Sequence, residues 1–135
     1  MKVVLDTNVF ISAVFFGGIL GKILRAWRDG DLHIVLSTEI VEEYIEVLQR
    51  LGKRYPPIET DVVIELLLAG TEVIAVSPLD KPASTDPDDD KFIACALASK
   101  AEVIISGDQH LLVMDGCLGI EITTPSGFIK KYMRE

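Results

Sequence analysis

The 135-residue chain has little of three things that often reveal a function: cysteine, positive charge and long apolar runs. Its two cysteines, Cys95 and Cys117, lack the spacing of a metal site, and the apolar helical segment around Cys95 is typical of a buried thiol in a reducing compartment. No apolar run reaches the roughly 18 residues that a bilayer span needs. Asp6 comes too early for the core of a secretory signal. We therefore expect a cytoplasmic protein with no membrane association.

Basic residues are scarce as well. Thirteen Lys and Arg against twenty-one Asp and Glu give a formal net charge of −8. This balance argues against broad attraction to a phosphate backbone, which usually needs a basic face. Any binding of a nucleic acid has to rely on bound cations and on local basic residues, such as Arg25, Arg28, Lys53 and Arg54.

Several common site motifs are missing too. The glycines at 17, 18 and 21 lack both the Lys-Ser/Thr ending and the preceding strand of a phosphate-binding loop. His33 is predicted in a strand and His110 in a loop, and neither has the spacing of a zinc ligand. No nucleophile elbow, internal repeat or linker is visible. The sequence therefore shows none of the usual signals of zinc or P-loop chemistry.

The residues that are present predict one layered domain, residues 1–135. Apolar residues make up 49% of the chain, which is enough for a core at this length. Short apolar segments predict strands at residues 2–5, 33–36, 72–76, 102–105 and 121–123. Helical patterns cover residues 9–28 with a break at Gly17-Gly18, 39–51, from Pro56-Pro57 to 69, 86–100 and 125–133. This alternation predicts an α/β fold, a three-layer α/β/α sandwich with a central parallel sheet of about five strands.

Acidic residues stand where predicted strands end or helices begin: at Asp6, Glu43, the 86–90 run and Asp108. The carboxyl ends of the strands of an open α/β sheet share one edge, so these acids are expected to converge. Several carboxylates in one pocket repel each other unless a divalent cation neutralises them. Because only oxygen ligands are available, the pattern favours Mg²⁺ or Mn²⁺.

Each acid also has an ordinary structural interpretation. Asp6 can be a turn or N-cap residue, and Asp108 can belong to a commonplace Gly-Asp turn. Helical phasing puts Glu43 at the rim of the apolar face, beside Val47, and periodicity alone favours a solvent-facing side chain there.

The acidic run at 88–90 leaves one choice open. The dipole of the following helix explains Asp88 well. Asp89 and Asp90 both project toward the apolar side of that helix, and a buried carboxylate needs a partner. Lys91 is expected to point away from them. One of Asp89 and Asp90 is therefore a candidate ligand, and the sequence does not decide which.

Together these segments resemble a known family. They read Val-Val-Leu-Asp-Thr-Asn-Val from position 3, Glu-Glu-Tyr-x-Glu-Val-Leu from position 42, Asp-Pro-Asp-Asp-Asp-Lys-Phe-Ile-Ala-Cys-Ala from position 86, and Ser-Gly-Asp-x-x-Leu-Leu from position 106. In this order and spacing they resemble the PIN-domain ribonucleases, specifically the prokaryotic toxin-like branch related to VapC toxins. The resemblance covers essentially the whole chain.

The resemblance implies a metal-dependent endoribonuclease that hydrolyses single-stranded RNA, the toxin of a toxin–antitoxin system. Carried over by position, the core acids are Asp6, Glu43 and Asp90, with Asp108 as the fourth and Asp89 as an alternative to Asp90. Mg²⁺ or Mn²⁺ would be held by Asp6, Asp90 (or Asp89) and Asp108. The implied hydrogen-bonding supports are Thr7, Asn8 and Ser106. The implied partners are single-stranded RNA, an antitoxin protein and further copies of the chain in a homodimer or higher oligomer.

Two other functions compete. One is a non-catalytic interaction module of the same fold, because the first helical segment carries more apolar residues than a small helix normally buries. Those residues are Phe10, Phe15, Phe16, Ile19, Leu20, Ile23, Leu24 and Trp27. The other is a Mg²⁺-dependent phosphoryl-transfer domain. A receiver domain needs both a lysine and a Ser or Thr at the ends of later strands, and only the second requirement is met, by Ser106. A haloacid-type phosphatase needs a second aspartate at the position of Asn8.

Overall fold

The computed structural model of the protein describes residues 1–54, 59–77, 79 and 87–133. Its strands are β1 (Lys2–Leu5), β2 (His33–Ser37), β3 (Glu72–Ile74), β4 (Val103–Ile105) and β5 (Glu121–Thr123). They form one parallel sheet in the order β3-β2-β1-β4-β5. All five predicted strands are confirmed. Their ends differ from the predictions by one residue in β2 and β4 and by two in β3.

The described helices are α1 (Thr7–Phe16), α2 (Ile19–Arg28), α3 (Thr38–Arg54), α4 (Thr60–Gly70), α5 (Asp90–Ser99), α6 (Gln109–Leu112) and α7 (Pro125–Tyr132). They flank the sheet in a three-layer α/β/α sandwich, as the alternating pattern predicts. Within the described residues no single helix is long and apolar enough to span a bilayer. Only α1 and α2 taken together meet that criterion, and they are bent by 98°.

The central strand determines where a ligand site can form. Val3, Val4 and Leu5 of β1 are completely buried, since β1 pairs with β2 on one side and β4 on the other. Branched apolar residues suit a strand that is covered on both faces. The strand order reverses between β1 and β4, and ligands of open α/β sheets bind at such a switch point, beyond the carboxyl ends of the strands. Asp6 and Ser106 are the residues that directly follow these two strands.

Backbone hydrogen bonds explain where the first helices begin and end. α1 begins two residues earlier than predicted because the Asp6 carbonyl accepts from the N–H groups of Val9 and Phe10. The predicted break is confirmed: Gly17 and Gly18 have φ values of 64° and 63°, which glycine adopts without a steric penalty.

Two start signals fall outside the described residues. They are the Pro56-Pro57 start of α4 and the Asp86 cap of the helix that follows. A 3₁₀ turn, Pro87–Asp89, leads into α5. The helix α6 was not predicted, and the assignment of His110 to a loop is wrong because His110 belongs to α6.

The phasing of α3 is confirmed by its buried residues, Ile40, Tyr44 and Leu48. The Tyr44 ring stacks on Phe10 with centroids 4.6 Å apart, and its hydroxyl donates to the Leu5 carbonyl, directly before Asp6. Burial, followed by the charge of Asp6, raises the pKa of Tyr44 well above its ordinary value. Tyr44 therefore stays a neutral donor that ties α3 to the end of β1.

The apolar residues of α1 and α2 mostly join the core. Phe10 and Ile23 are buried, and four others pack partly against the core: Phe15, Leu20, Leu24 and Trp27. Phe16 and Ile19 remain 73% and 50% exposed. Cys95 is buried as predicted, and burial raises the pKa of its thiol to about 12.

Candidate functional site

Asp6 is the most buried acid that lies at the carboxyl end of a strand in the described residues. Its side chain is 6% exposed, and its Oδ2 accepts a hydrogen bond of 2.7 Å from the Ser106 hydroxyl. Burial raises the pKa of Asp6, and the negative charges of Asp108 and Glu43 raise it further. The Ser106 hydroxyl and the Asn8 N–H, both neutral, lower it in part. The ionised carboxylate thus stands in a region of like charge, and burial makes that charge costly.

Ser106 connects Asp6 to Asp108. Its own N–H donates to the Thr123 carbonyl at 2.9 Å, which continues the β4–β5 ladder by one residue. Its buried hydroxyl donates to Asp6 and accepts from the Asp108 N–H at 2.9 Å, using both hydrogen-bonding capacities of a serine. Asp108 is half-buried and caps α6, with Oδ1 accepting from the His110 N–H at 2.8 Å. Asp108 is thus the N-cap of α6, and its charge lies close enough to Asp6 to raise the pKa of that acid.

Glu43 projects from α3 toward the same region. Its Oε2 accepts a hydrogen bond from the Thr7 hydroxyl, and its Oε1 lies 2.9 Å from the Lys91 ammonium nitrogen. Its side chain is 34% exposed, so the solvent-facing orientation that periodicity alone favours is not what the structure shows. Thr7 is buried at the start of α1, immediately after Asp6. One residue pair, Asp6-Thr7, thus contacts both Ser106 and Glu43.

Lys91, which is expected to point away from Asp89 and Asp90, contacts Glu43 of the neighbouring helix α3. Its side chain is 14% exposed, and its ammonium contacts the Asp88 carbonyl at 2.6 Å besides Glu43. Helical phasing within α5 does not include the neighbouring α3, which supplies the partner. Asp89 is buried and Asp90 half-buried, in agreement with the predicted inward projection, while Asp88 is exposed.

A cavity of about 480 Å³ opens beside Lys91 and Asp90. It lies between the carboxyl ends of β2 and β3 and the start of α5. Its lining residues are Ser37, Thr38, Glu39, Ala75, Val76, Ser77, Leu79, Asp88, Asp90, Lys91 and Ala94. The strand β3 ends at Ile74 rather than Val76, so Ala75 and Val76 are free to line this space. The size is typical of a small-ligand site.

The local basic residues named from the sequence lie elsewhere in the described fold. Arg25 lines a separate cavity of about 450 Å³, together with Lys22, Asp29 and Asp31. Arg28 pairs with Asp29 at 3.2 Å. The cation at the acidic site is instead Lys91, which sequence reasoning missed. Its position next to the acidic run was the signal that could have identified it.

The structure brings most of the predicted site residues into one connected group. Contacts run from Asp108 through Ser106 to Asp6, and from Thr7 through Glu43 to Lys91. Asp90 joins the group as the neighbour of Lys91 and through the cavity that both residues line. The exposed Asn8 contributes its N–H to Asp6.

These acids do not yet form a coordination sphere. In residues 1–54, 59–77, 79 and 87–133, no three His, Cys, Asp or Glu side chains are arranged to hold a metal ion. Glu43 engages Lys91 and Thr7, and Asp108 caps α6. The donor chemistry nevertheless fits a hard divalent cation, because the group offers oxygen ligands around a buried carboxylate whose pKa two other acids raise.

Comparisons with known proteins identify the family and the fold. The model of the PIN domain family matches residues 2–110. An uncharacterized protein of Methanocaldococcus jannaschii is 31% identical over 143 residues, covering 98% of this chain and 92% of the relative. A chain in the crystal structure of VapBC2 from Rickettsia felis, bound to a DNA fragment from their promoter, superposes with a TM-score of 0.61. That match covers 90% of this chain and 97% of the other at 13% identity, so it shows a shared fold.

The family model spans the strands β1 and β4 that precede Asp6 and Asp108. It also spans the helix that carries Glu43 and the acidic run before α5. The resemblance recognised in the sequence is thereby confirmed, and the chain belongs to the PIN domain family.

Proposed function

We propose that the protein is a Mg²⁺- or Mn²⁺-dependent endoribonuclease that hydrolyses phosphodiester bonds of single-stranded RNA. It acts as one domain, residues 1–135, in the cytoplasm. The observation that supports this most is the buried Asp6 at the switch point of the sheet, with Asp108 and Glu43 close enough to raise its pKa. A carboxylate in that setting is stabilised by a divalent cation.

The residues that would hold the ion are Asp6, Asp90 (or Asp89), Asp108 and Glu43, some of them through water. An ion held there would lower the pKa of an attacking water and offset negative charge on the phosphoryl group in the transition state. The described side chains prepare this site. Ser106 and Asn8 orient Asp6, while Thr7 holds Glu43 in place.

We also propose that the protein is the toxin component of a toxin–antitoxin system. The fold shared with a chain of VapBC2 supports an antitoxin partner, and that neighbour was crystallised as a complex. Homodimerisation or higher assembly is part of the same proposal. Its surface support is the exposed pair Phe16 and Ile19, at the junction of α1 and α2.

The alternative is a non-catalytic PIN-fold interaction module, which the same two exposed side chains favour. A phosphoryl-transfer domain has less support. A haloacid-type phosphatase needs a second aspartate two residues after Asp6. This chain has the exposed Asn8 there, an amide instead of a carboxylate.

The test is cleavage of an end-labelled single-stranded RNA with Mg²⁺ or Mn²⁺. Asp6→Asn should lower the rate by about 10³-fold, because ion-dependent stabilisation contributes several kcal/mol and about 1.36 kcal/mol is tenfold. Asp61→Asn, an exposed acid of α4, is the matched control and should stay within about twofold of the wild type. Circular dichroism checks that both variants fold.

Two results contradict the proposal in different ways. Wild-type cleavage by a folded Asp6→Asn variant excludes Asp6 as a ligand. A folded wild type that cleaves no single-stranded RNA with either ion supports the non-catalytic module instead.

A further inference from the structure

We infer that Lys91 is the residue that binds a phosphate of the RNA strand beside the acidic group, within the 480 Å³ cavity. The inference rests on the proposed function, because the ligand is the same single-stranded RNA. It gives the site a positively charged group that binds the substrate, although the chain as a whole is acidic.

The position of Lys91 is fixed by three contacts. Its Nζ lies 2.9 Å from Glu43 Oε1 and donates to the Asp88 carbonyl at 2.6 Å, and it sits 5.1 Å from the centre of the Phe92 ring. An ammonium group has three N–H donors. Two are accounted for by Glu43 and Asp88, and the third has no partner among the described residues. Lys91 thus presents a held cation with one donor remaining, in the wall of a cavity.

Charge makes this donor important. The described lining of the cavity contains three acids, Glu39, Asp88 and Asp90, and Lys91 is the cation among them. With a net charge of −8, the protein gains little from long-range attraction to RNA. A phosphate that enters beside these acids needs a positive group at short range, and lysine binds phosphate as a point charge.

The ion pair with Glu43 positions Lys91 without cancelling this role. Glu43 is about one-third exposed, so its attraction for Lys91 is screened by water. The pair holds a long, flexible side chain in one orientation, which reduces the entropy lost when a phosphate binds. The competing explanation is that Lys91 serves only as the structural partner of Glu43.

The experiment measures binding separately from cleavage. Fluorescence anisotropy follows a short labelled single-stranded RNA with Ca²⁺ in place of Mg²⁺, and a gel confirms that the RNA stays intact. The variants are Lys91→Met, Lys91→Arg and the control Lys130→Met, a change of an exposed lysine in α7. Both methionine variants change the net charge from −8 to −8 − 1 = −9, so general electrostatic effects cancel.

We expect Lys91→Met to raise Kd by about tenfold, the value of one hydrogen bond to a charged group. It should also make the plot of log K against log salt less steep by about 0.7, the contribution of one phosphate contact on a single strand. Lys130→Met should leave both values unchanged, and Lys91→Arg should restore most of the affinity because it keeps the charge.

A second comparison separates the two explanations. If Lys91 serves only as the structural partner of Glu43, it has no such role left in a Glu43→Gln variant. Adding Lys91→Met to that variant should then have no further effect on Kd. If Lys91 contacts phosphate, the added loss and the change in salt slope persist.

The inference is overturned if Lys91→Met binds RNA like the wild type, if its effect disappears in the Glu43→Gln background, or if the wild type binds no RNA. Failure of the nuclease proposal is recognised separately. In that case the wild type with Mg²⁺ or Mn²⁺ does not cleave RNA, yet the Lys91-dependent binding is still observed.

Discussion

The two sides of the candidate site treat negative charge differently. On the side of β1 and β4, Asp6 is held by the neutral donors Ser106 and Asn8, and nearby acids raise its pKa. On the side of α3 and α5, Glu43 faces the ammonium group of Lys91 at 2.9 Å. The first side concentrates charge that a divalent ion can neutralise. The second side already contains its cation, which is available for a phosphate.

This difference suggests a division of labour at one sheet edge. Four like charges cannot stay close in a partly dry pocket without compensation, since two carboxylates about 4 Å apart repel by a few kcal/mol at an effective dielectric near 20. Compensating one acid with a fixed lysine and leaving the others for an exchangeable ion reduces that repulsion.

On the α3–α5 side, the largest expected effect distinguishes two neighbouring glutamates of α3. Glu43→Gln should lower RNA cleavage by about 10²-fold, because it removes both a site carboxylate and the partner of Lys91. Glu42→Gln, the exposed neighbour, should stay within about twofold. Rates are measured at saturating RNA with Mg²⁺. Equal losses in both variants would show that the difference between the two sides has no catalytic meaning.

Metal binding should stabilise only a protein that keeps Asp6. At an Mn²⁺ concentration about 100 times Kd, the free energy of unfolding of the wild type should rise by about 2.7 kcal/mol. Asp6→Asn should gain little, and Asp61→Asn should gain as much as the wild type. Urea denaturation with and without Mn²⁺ measures these gains. A full gain in Asp6→Asn would place the ion elsewhere.

The Ser106 hydroxyl should matter for stability as well as for the site. Ser106→Ala removes the hydrogen bonds to Asp6 and to the Asp108 N–H, both in buried surroundings. The expected cost is about 1–3 kcal/mol of unfolding free energy. Ser126→Ala, at an exposed position of α7, is the control and should change stability by less than about 0.5 kcal/mol. A negligible change in the free energy of unfolding for Ser106→Ala would show that the hydrogen bonds of Ser106 do not stabilise the fold.

The raised pKa of Asp6 predicts a pH effect in metal-free protein. Because its pKa in the folded state lies above the ordinary value of 3.8, the folded state binds the proton more tightly than the unfolded state. Stability that is present at low pH is therefore lost as the pH rises from about 3.8 through the folded-state pKa. Asp6→Asn should flatten this part of the profile in EDTA. Identical profiles for the two proteins would contradict the direction of the shift.

The sequence predicts the β1–β4 side of the site better than the α3–α5 side. Asp6 and Asp108 follow strands whose burial is visible in the sequence, and parallel strands bring their carboxyl ends to one edge whatever the details of packing. The link through Ser106 follows from its place at the end of β4. The short helix α6 was missed because four residues carry almost no periodic signal.

The Glu43–Lys91 pair could not be predicted in the same way. Periodicity gives the face of one helix relative to its own apolar stripe, and it contains no information on how α3 and α5 pack against each other. Periodicity therefore favours a solvent-facing Glu43 on α3, and it directs Lys91 away from Asp89 and Asp90 without indicating a partner. The contact between the two side chains depends on the packing of α3 against α5, which the pattern of one helix does not contain.

The proposed metal site at Asp6 is tested most directly by anomalous diffraction from a crystal soaked in Mn²⁺. The predicted result is a peak about 2 Å from the Asp6 carboxylate, the usual distance for a small divalent ion, with oxygens of Asp108 and of Asp90 or Asp89 completing its ligands. A fully soaked crystal with no peak at Asp6, or with Mn²⁺ bound only elsewhere, would contradict it.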